Sequence, residues 1–119
     1  MKTYTGIRLP NQCIVKVSEE DSEYHLDWRL DIQDRSPTGI EWGYGGSGPS
    51  QLAIALIADA TGDDSLAEEP HITFWFKWNV VSTLPRMTGK MVEWELTQKE
   101  IKDYIRSEPW QQNQNTHAY

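Results

Sequence analysis

The stretch His71-Ile72-Thr73-Phe74-Trp75-Phe76-Lys77-Trp78-Asn79-Val80-Val81-Ser82-Thr83-Leu84 can be read with either of two periods. Ile72, Phe74, Phe76, Trp78 and Val80 alternate as a strand would, while Ile72, Phe76, Val80 and Leu84 recur every fourth residue as a helix would. The choice decides whether the chain is mostly sheet or a sheet covered by helices. Length favours the helix: the run is well beyond the usual strand of ~5–6 residues. Phe76, Val80, Val81 and Leu84 also form one coherent stripe before Pro85. Phe74, Trp75, Phe76 and Trp78 together carry more aromatic surface than one face of one element can bury. Core packing accounts for most of it, and Trp75 and Trp78 become candidates for a partner or oligomer contact, since Trp and Tyr dominate binding hot spots.

Upstream the pattern is that of strands. Residues 23–33 place Tyr24, Leu26, Trp28, Leu30 and Ile32 on one face and His25, Asp27, Arg29, Asp31 and Gln33 on the other, which predicts a strand. Cys13, Val15 and Val17 predict a second, joined to it by a hairpin loop at Glu19-Glu20-Asp21-Ser22. Thr3 to Arg8 predicts a third, ended by the turn pair Pro10-Asn11. Between residues 48 and 62, Pro49 suits the first helical position with Gly48 as N-cap. Leu52, Ala53, Leu56, Ile57 and Ala60 mark a packing face, and Gly62 stops the helix. Ile54 and Ala55 make this helix apolar almost all round, so a central place is expected. Met91 to Glu95 reads as extended with Trp94 inward. Thr97-Gln98-Lys99-Glu100 is a capping box with Leu96 and Ile101 as its hydrophobic staple, opening a helix whose buried face is Ile101, Tyr104 and Ile105. The expected fold is α+β: a three-stranded antiparallel meander, with a short fourth strand, packed against about three helices. One domain over residues 1–108 and a mobile polar tail over 109–119 follow.

Composition narrows the function classes. The 119 residues carry eleven basic and eighteen acidic side chains, a net charge of −7, which argues against direct nucleic-acid binding. The single cysteine, Cys13, permits no intramolecular disulfide and no cysteine-based zinc pattern. The N-terminal residues lack the apolar run of a signal peptide, and no window approaches the ~20 apolar residues of a membrane helix. A cytoplasmic protein with no membrane partner is expected.

Glu41-Trp42-Gly43-Tyr44-Gly45-Gly46-Ser47-Gly48-Pro49-Ser50-Gln51-Leu52-Ala53 is the most unusual segment. Backbone N–H groups of Gly45, Gly46, Ser47 and Gly48, with the Ser47 and Ser50 hydroxyls, could cradle an anion, and Trp42 or Tyr44 could stack on a base. No lysine follows Gly48, so the P-loop pattern fails, and Gly43, Gly45 and Gly48 match a dinucleotide fingerprint in spacing alone. A tight strand-to-helix connection accounts for the same glycines. Asp27, Asp31 and Asp34 could line a metal site or supply paired carboxylates, but Arg29 between the first two makes a self-compensated surface the plainer reading. The histidines are scattered and Ser47 lacks a nucleophile elbow. Cys13 reads as a small core residue. No catalytic residue, metal ligand or cofactor is expected.

The run from Ser36 to Leu56, with E-W-G-Y-G-G-S-G-P-S-Q-L-A at its centre, closely resembles the signature of a small domain-of-unknown-function family, number 6166. The likeness takes in Phe76-Lys77 to Leu84-Pro85 and Trp94 to Ile101, where the family spacing favours the helix over 71–84. The resemblance implies no activity and no catalytic residues. It implies a setting in prokaryotes, phages and mobile elements, where small acidic proteins often bind host machinery. The expected function is therefore a non-enzymatic acidic protein that binds and inhibits or modulates a host protein, such as a defence (CRISPR-like) complex. Asp27, Asp31 and Asp34, the acidic 19–23 loop, Trp75 and Trp78 would make the contact, with attraction that weakens as salt rises. The alternative is a small-molecule or nucleotide module holding an anion at the glycine loop. Either leaves room for a homo-oligomer.

Overall fold

The computed structural model describes residues 1–86 and 91–109. Strands β1 (Lys2–Arg8), β2 (Cys13–Glu19) and β3 (Ser22–His25) form an antiparallel meander, and β4 (Val92–Thr97) pairs antiparallel with the free side of β1, giving the order β3-β2-β1-β4. Leu9 N–H donates to the Gln12 carbonyl at 2.8 Å to close the turn at Pro10-Asn11. Glu20 takes a φ of 54° at the tip of the acidic hairpin. One face of the sheet is built by period-two burial: Tyr4 and Gly6 on β1, and Cys13, Val15 and Val17 on β2.

Helix α1 (Ser47–Thr61) lies on that face and is buried on nearly every side, because α2 (Asp64–Glu68), α3 (Pro70–Asn79) and α4 (Gln98–Ser107) cover its other flanks. Leu52, Ala53, Ala55, Leu56 and Ile57 are inaccessible, and each large aliphatic side chain removed from water stabilises the fold by ~1.5–3 kcal/mol. Gly62 ends α1 in the left-handed region at φ 67°, its N–H donating to the Ala58 carbonyl. The ambiguous run is helical: α3 covers Pro70–Asn79 and a 3₁₀ turn follows at Val81–Thr83, with Ile72, Phe76, Val80, Val81 and Leu84 all buried. At α4, Thr97 Oγ1 accepts from the Glu100 N–H at 3.1 Å and the Glu100 carboxylate accepts from the Thr97 N–H at 2.9 Å, which completes the capping box.

Three expectations need correction. The strand predicted over 23–33 ends at His25, and residues 26–36 run as irregular chain. Of the alternating set, Leu26 alone is fully buried, while Tyr24 and Leu30 are exposed. The cause is a distant side chain: the fully buried Gln51 of α1 accepts from the Arg35 and Ser36 N–H groups at 2.7 and 3.1 Å. Its amide donates to the Trp28 and Gln33 carbonyls at 2.6 and 3.0 Å. This amide takes the backbone hydrogen bonds a strand would have given to a neighbour. Second, the cap of α1 is Gly46, not Gly48, so Pro49 falls in the third helical position. Third, Tyr104 is 40% exposed, leaving Ile101 and Ile105 as the buried face of α4. The tail from Trp110 to Tyr119, expected to be mobile, lies outside the described residues.

Candidate functional site

The glycine loop joins the irregular chain to α1, and packing accounts for most of its composition. Gly43 has a φ of 84° and donates its N–H to the Val81 carbonyl at 3.1 Å, a conformation that disfavours any residue with a Cβ. A Cβ on Gly48 would stand 2.7 Å from Glu41 Cβ, so the first turn of α1 lies directly against the chain entering the loop. Gly45 sits beneath the Trp78 ring and Gly46 beside Tyr44. Trp42 is inaccessible, its indole N–H donating to Glu93 at 2.9 Å and its ring edge-on to Trp94 with centroids 5.3 Å apart. Its ring is covered by the Arg8 guanidinium, 5.2 Å from the centroid, and is not open for stacking. Ser50 Oγ donates inward to the Gly46 carbonyl at 3.0 Å, whereas Ser47 is exposed.

Outside this packing lies an aromatic surface. Tyr44 is 44%, Phe74 43% and Trp78 56% exposed. Phe74 and Trp78 are neighbours one turn apart on α3, and Trp78 reaches Gly45 beside Tyr44. Each ring carries a cation: Arg35 over Phe74 at 5.4 Å, Lys77 over Trp78 at 4.6 Å and Arg86 over Tyr44 at 5.7 Å. Trp75 is half-buried and packs on the core instead.

A second cluster adjoins a cleft of about 330 Å³, lined by its Arg8, Cys13 and Glu41 together with Asn11, Gln12 and Thr38. Arg8 grips Glu41 in a two-pronged pair at 2.8 and 2.9 Å and reaches Glu93 at 2.8 Å. The β4 register explains how Glu93 comes to be there. Gly6 faces Trp94 but Ile7 faces Val92, so Glu93 is the extra residue of a bulge, and it and Trp94 are both buried on the inner side. Burial opposes the charge on Glu41, yet hydrogen bonds from Arg8, the Trp42 N–H and Cys13 hold its carboxyl below the ordinary value. Burial, reinforced by the Glu41 charge, pushes the Cys13 thiol up to about 11, so at neutral pH it is a protonated donor to Glu41 at 3.4 Å. The cluster acts as a polar clasp tying β1, β2 and β4 to the entrance of the glycine loop.

The acidic candidates do not share a strand face, because no strand exists there. Asp27 accepts from the Arg29 N–H at 2.8 Å, Asp31 and Asp64 grip the Arg29 guanidinium, and Asp34 is exposed. Arg29 holds the Asp31 carboxyl below its ordinary value. Among the described residues no group of three His, Cys, Asp or Glu could hold a metal ion, and no helix is long and apolar enough to cross a membrane. Sequence reading missed Arg8, Glu41 and Glu93, which a bulge and a distant loop bring together. It also missed the cations over the exposed rings, although Lys77 between Phe74 and Trp78 is a local hint.

A family model described as a family of unknown function, DUF6166, matches residues 4–107. No curated protein and no solved structure matches the chain.

Proposed function

We propose that this chain, which belongs to the DUF6166 family of unknown function, is a non-enzymatic binding protein that occupies and modulates a host protein in a phage or mobile-element setting. The observation that carries this reading is the continuous surface of Tyr44, Trp78 and Phe74, three large rings left in water beside a loop whose glycines are otherwise spent on packing. Half-exposed aromatic anchors are the residues from which protein interfaces draw most of their energy. The acidic residues of the 26–36 chain offer a weaker contact, since Asp31 is already paired with Arg29. Host extract passed over the immobilised chain tests the reading. A retained protein should be lost by at least ~10-fold with Trp78→Ala plus Tyr44→Ala, at unchanged melting temperature. Equal retention by both forms would refute it.

A second reading, an anion held at the glycine loop, is favoured by one feature: the N-terminus of α1 has no side-chain cap and no acidic residue in its first turn. A thermal-shift screen with nucleotides and inorganic phosphate tests it. A shift abolished by Ser47→Glu, which places a carboxylate at that exposed position, supports an anion site; no shift with any anion removes it.

A further inference from the structure

Most cations of this acidic chain are already spoken for. Lys2 pairs with Asp59, Arg8 with Glu41 and Glu93, Lys16 with Glu23, Arg29 with Asp31 and Asp64, and Lys99 and Arg106 with Asp103. Among the described residues, the lysines and arginines with no carboxylate partner are Arg35, Lys77, Arg86 and Lys102, and all but Lys102 lie over an exposed ring of the aromatic surface. Even Asp34, beside Arg35 in the sequence, forms no ion pair with it, and Glu41, at the entrance of the glycine loop, is committed to Arg8. A net charge of −7 would supply partners for these cations many times over, so their shared isolation marks a local positive island on a negative molecule.

From this we infer that the aromatic surface docks a partner protein through a segment that is both acidic and apolar. Its carboxylates would meet Arg35, Lys77 and Arg86, while its hydrophobic side chains cover Phe74, Trp78 and Tyr44. The inference rests on the binding reading above and names the chemistry of the partner. Charge complementarity supplies the sign. The rings supply the apolar half, and each already carries a cation, so the surface offers charge backed by rings and not a bare platform for stacking bases. The remaining surface, acidic overall, would repel a long polyanion that ran past the island. A compact acidic segment escapes that penalty.

The test uses the whole chain and fluorescence anisotropy with four labelled probes: a peptide alternating Glu with Leu and Phe, its Lys-for-Glu counterpart, a plain poly-Glu peptide, and oligothymidylate. The Glu/Leu/Phe peptide should bind best and weaken as salt rises. Trp78→Ala should weaken it by ~10-fold or more, and Lys77→Glu with Arg86→Glu should abolish it, each with circular dichroism and melting temperature unchanged. Lys77→Gln, milder, should give an intermediate loss. Equal binding of the Lys peptide, tighter binding of oligothymidylate, or no binding of the Glu/Leu/Phe peptide overturns the inference. So does concentration-dependent dimerisation lost in the charge-reversed form, because the occupant would then be a second copy offering its acidic hairpin. In the extract experiment the two ideas separate. If Trp78→Ala loses the host protein while Lys77→Glu with Arg86→Glu retains it, the binding reading stands and the acidic partner falls. If neither variant changes retention, both fall.

Discussion

Arg8 holds two carboxylates at once, one of them, Glu93, with its side chain 2% exposed. Removing the cation and keeping the carboxylates is the costly direction, because a buried charge loses its compensation. Arg8→Met should lower unfolding free energy by about 3–5 kcal/mol in urea titration, and a loss under ~1 kcal/mol would mean that water already serves these groups. The same clasp sets an acid limit. The folded Glu41 carboxyl titrates below its ordinary value of 4.5, so its contribution is complete above that value and is lost as pH falls through the lower, folded one. Acid unfolding of the native chain should therefore show a stability loss beginning below about pH 4.5, and Arg8→Met should flatten that part of the profile. None of this was legible in the sequence. Period-two reading sends Glu93 and Trp94 to opposite faces, and only a bulge puts both inside.

Elements differ in how much of their cause is local. The capping box at Thr97 and the helix stop at Gly62 were legible because each is decided within a few residues. Helix over strand in 71–84 was legible from length, although α3 ends at Asn79 and Val80, Val81 and Leu84 of its stripe lie beyond it, around a 3₁₀ turn. The run 23–33 misled for the opposite reason. Its alternation is real, but Gln51, on a helix far along the chain, takes its backbone partners. Gln51→Leu should release that segment: four backbone groups lose their partner, and those that remain shielded cost ~1–3 kcal/mol each. Hydrogen exchange checks it. The Arg35 and Ser36 amides should exchange far faster in the variant while the β1 and β2 amides stay protected; uniform change across the chain would contradict a local role. The aromatic surface was half legible, since Trp78 and Tyr44 were candidates from sequence but the cations above them were not.

On the scale of the molecule, the sheet is completed by its most remote pair. Strand β1 takes β2 as its near neighbour and β4, some 90 residues later, as its other one. The Trp94 indole lies over Gly6, where a Cβ would collide with the ring. Gly6→Ala should then loosen the β4 seam, costing about 1–3 kcal/mol by overpacking, read as a lower melting temperature; an unchanged value would show that the indole moves aside freely. This strand order also has a consequence for synthesis. While the chain is being made, the N-terminal strand, hairpin and central helix can meet early, but one whole side of β1 keeps its hydrogen-bonding groups open until residues 92–97 have been translated. Throughout that interval the nascent protein presents a ready template for another chain's strand. The arrival of β4, and not the completion of the first hairpin, decides when that side of β1 becomes safe from joining a neighbour's strand.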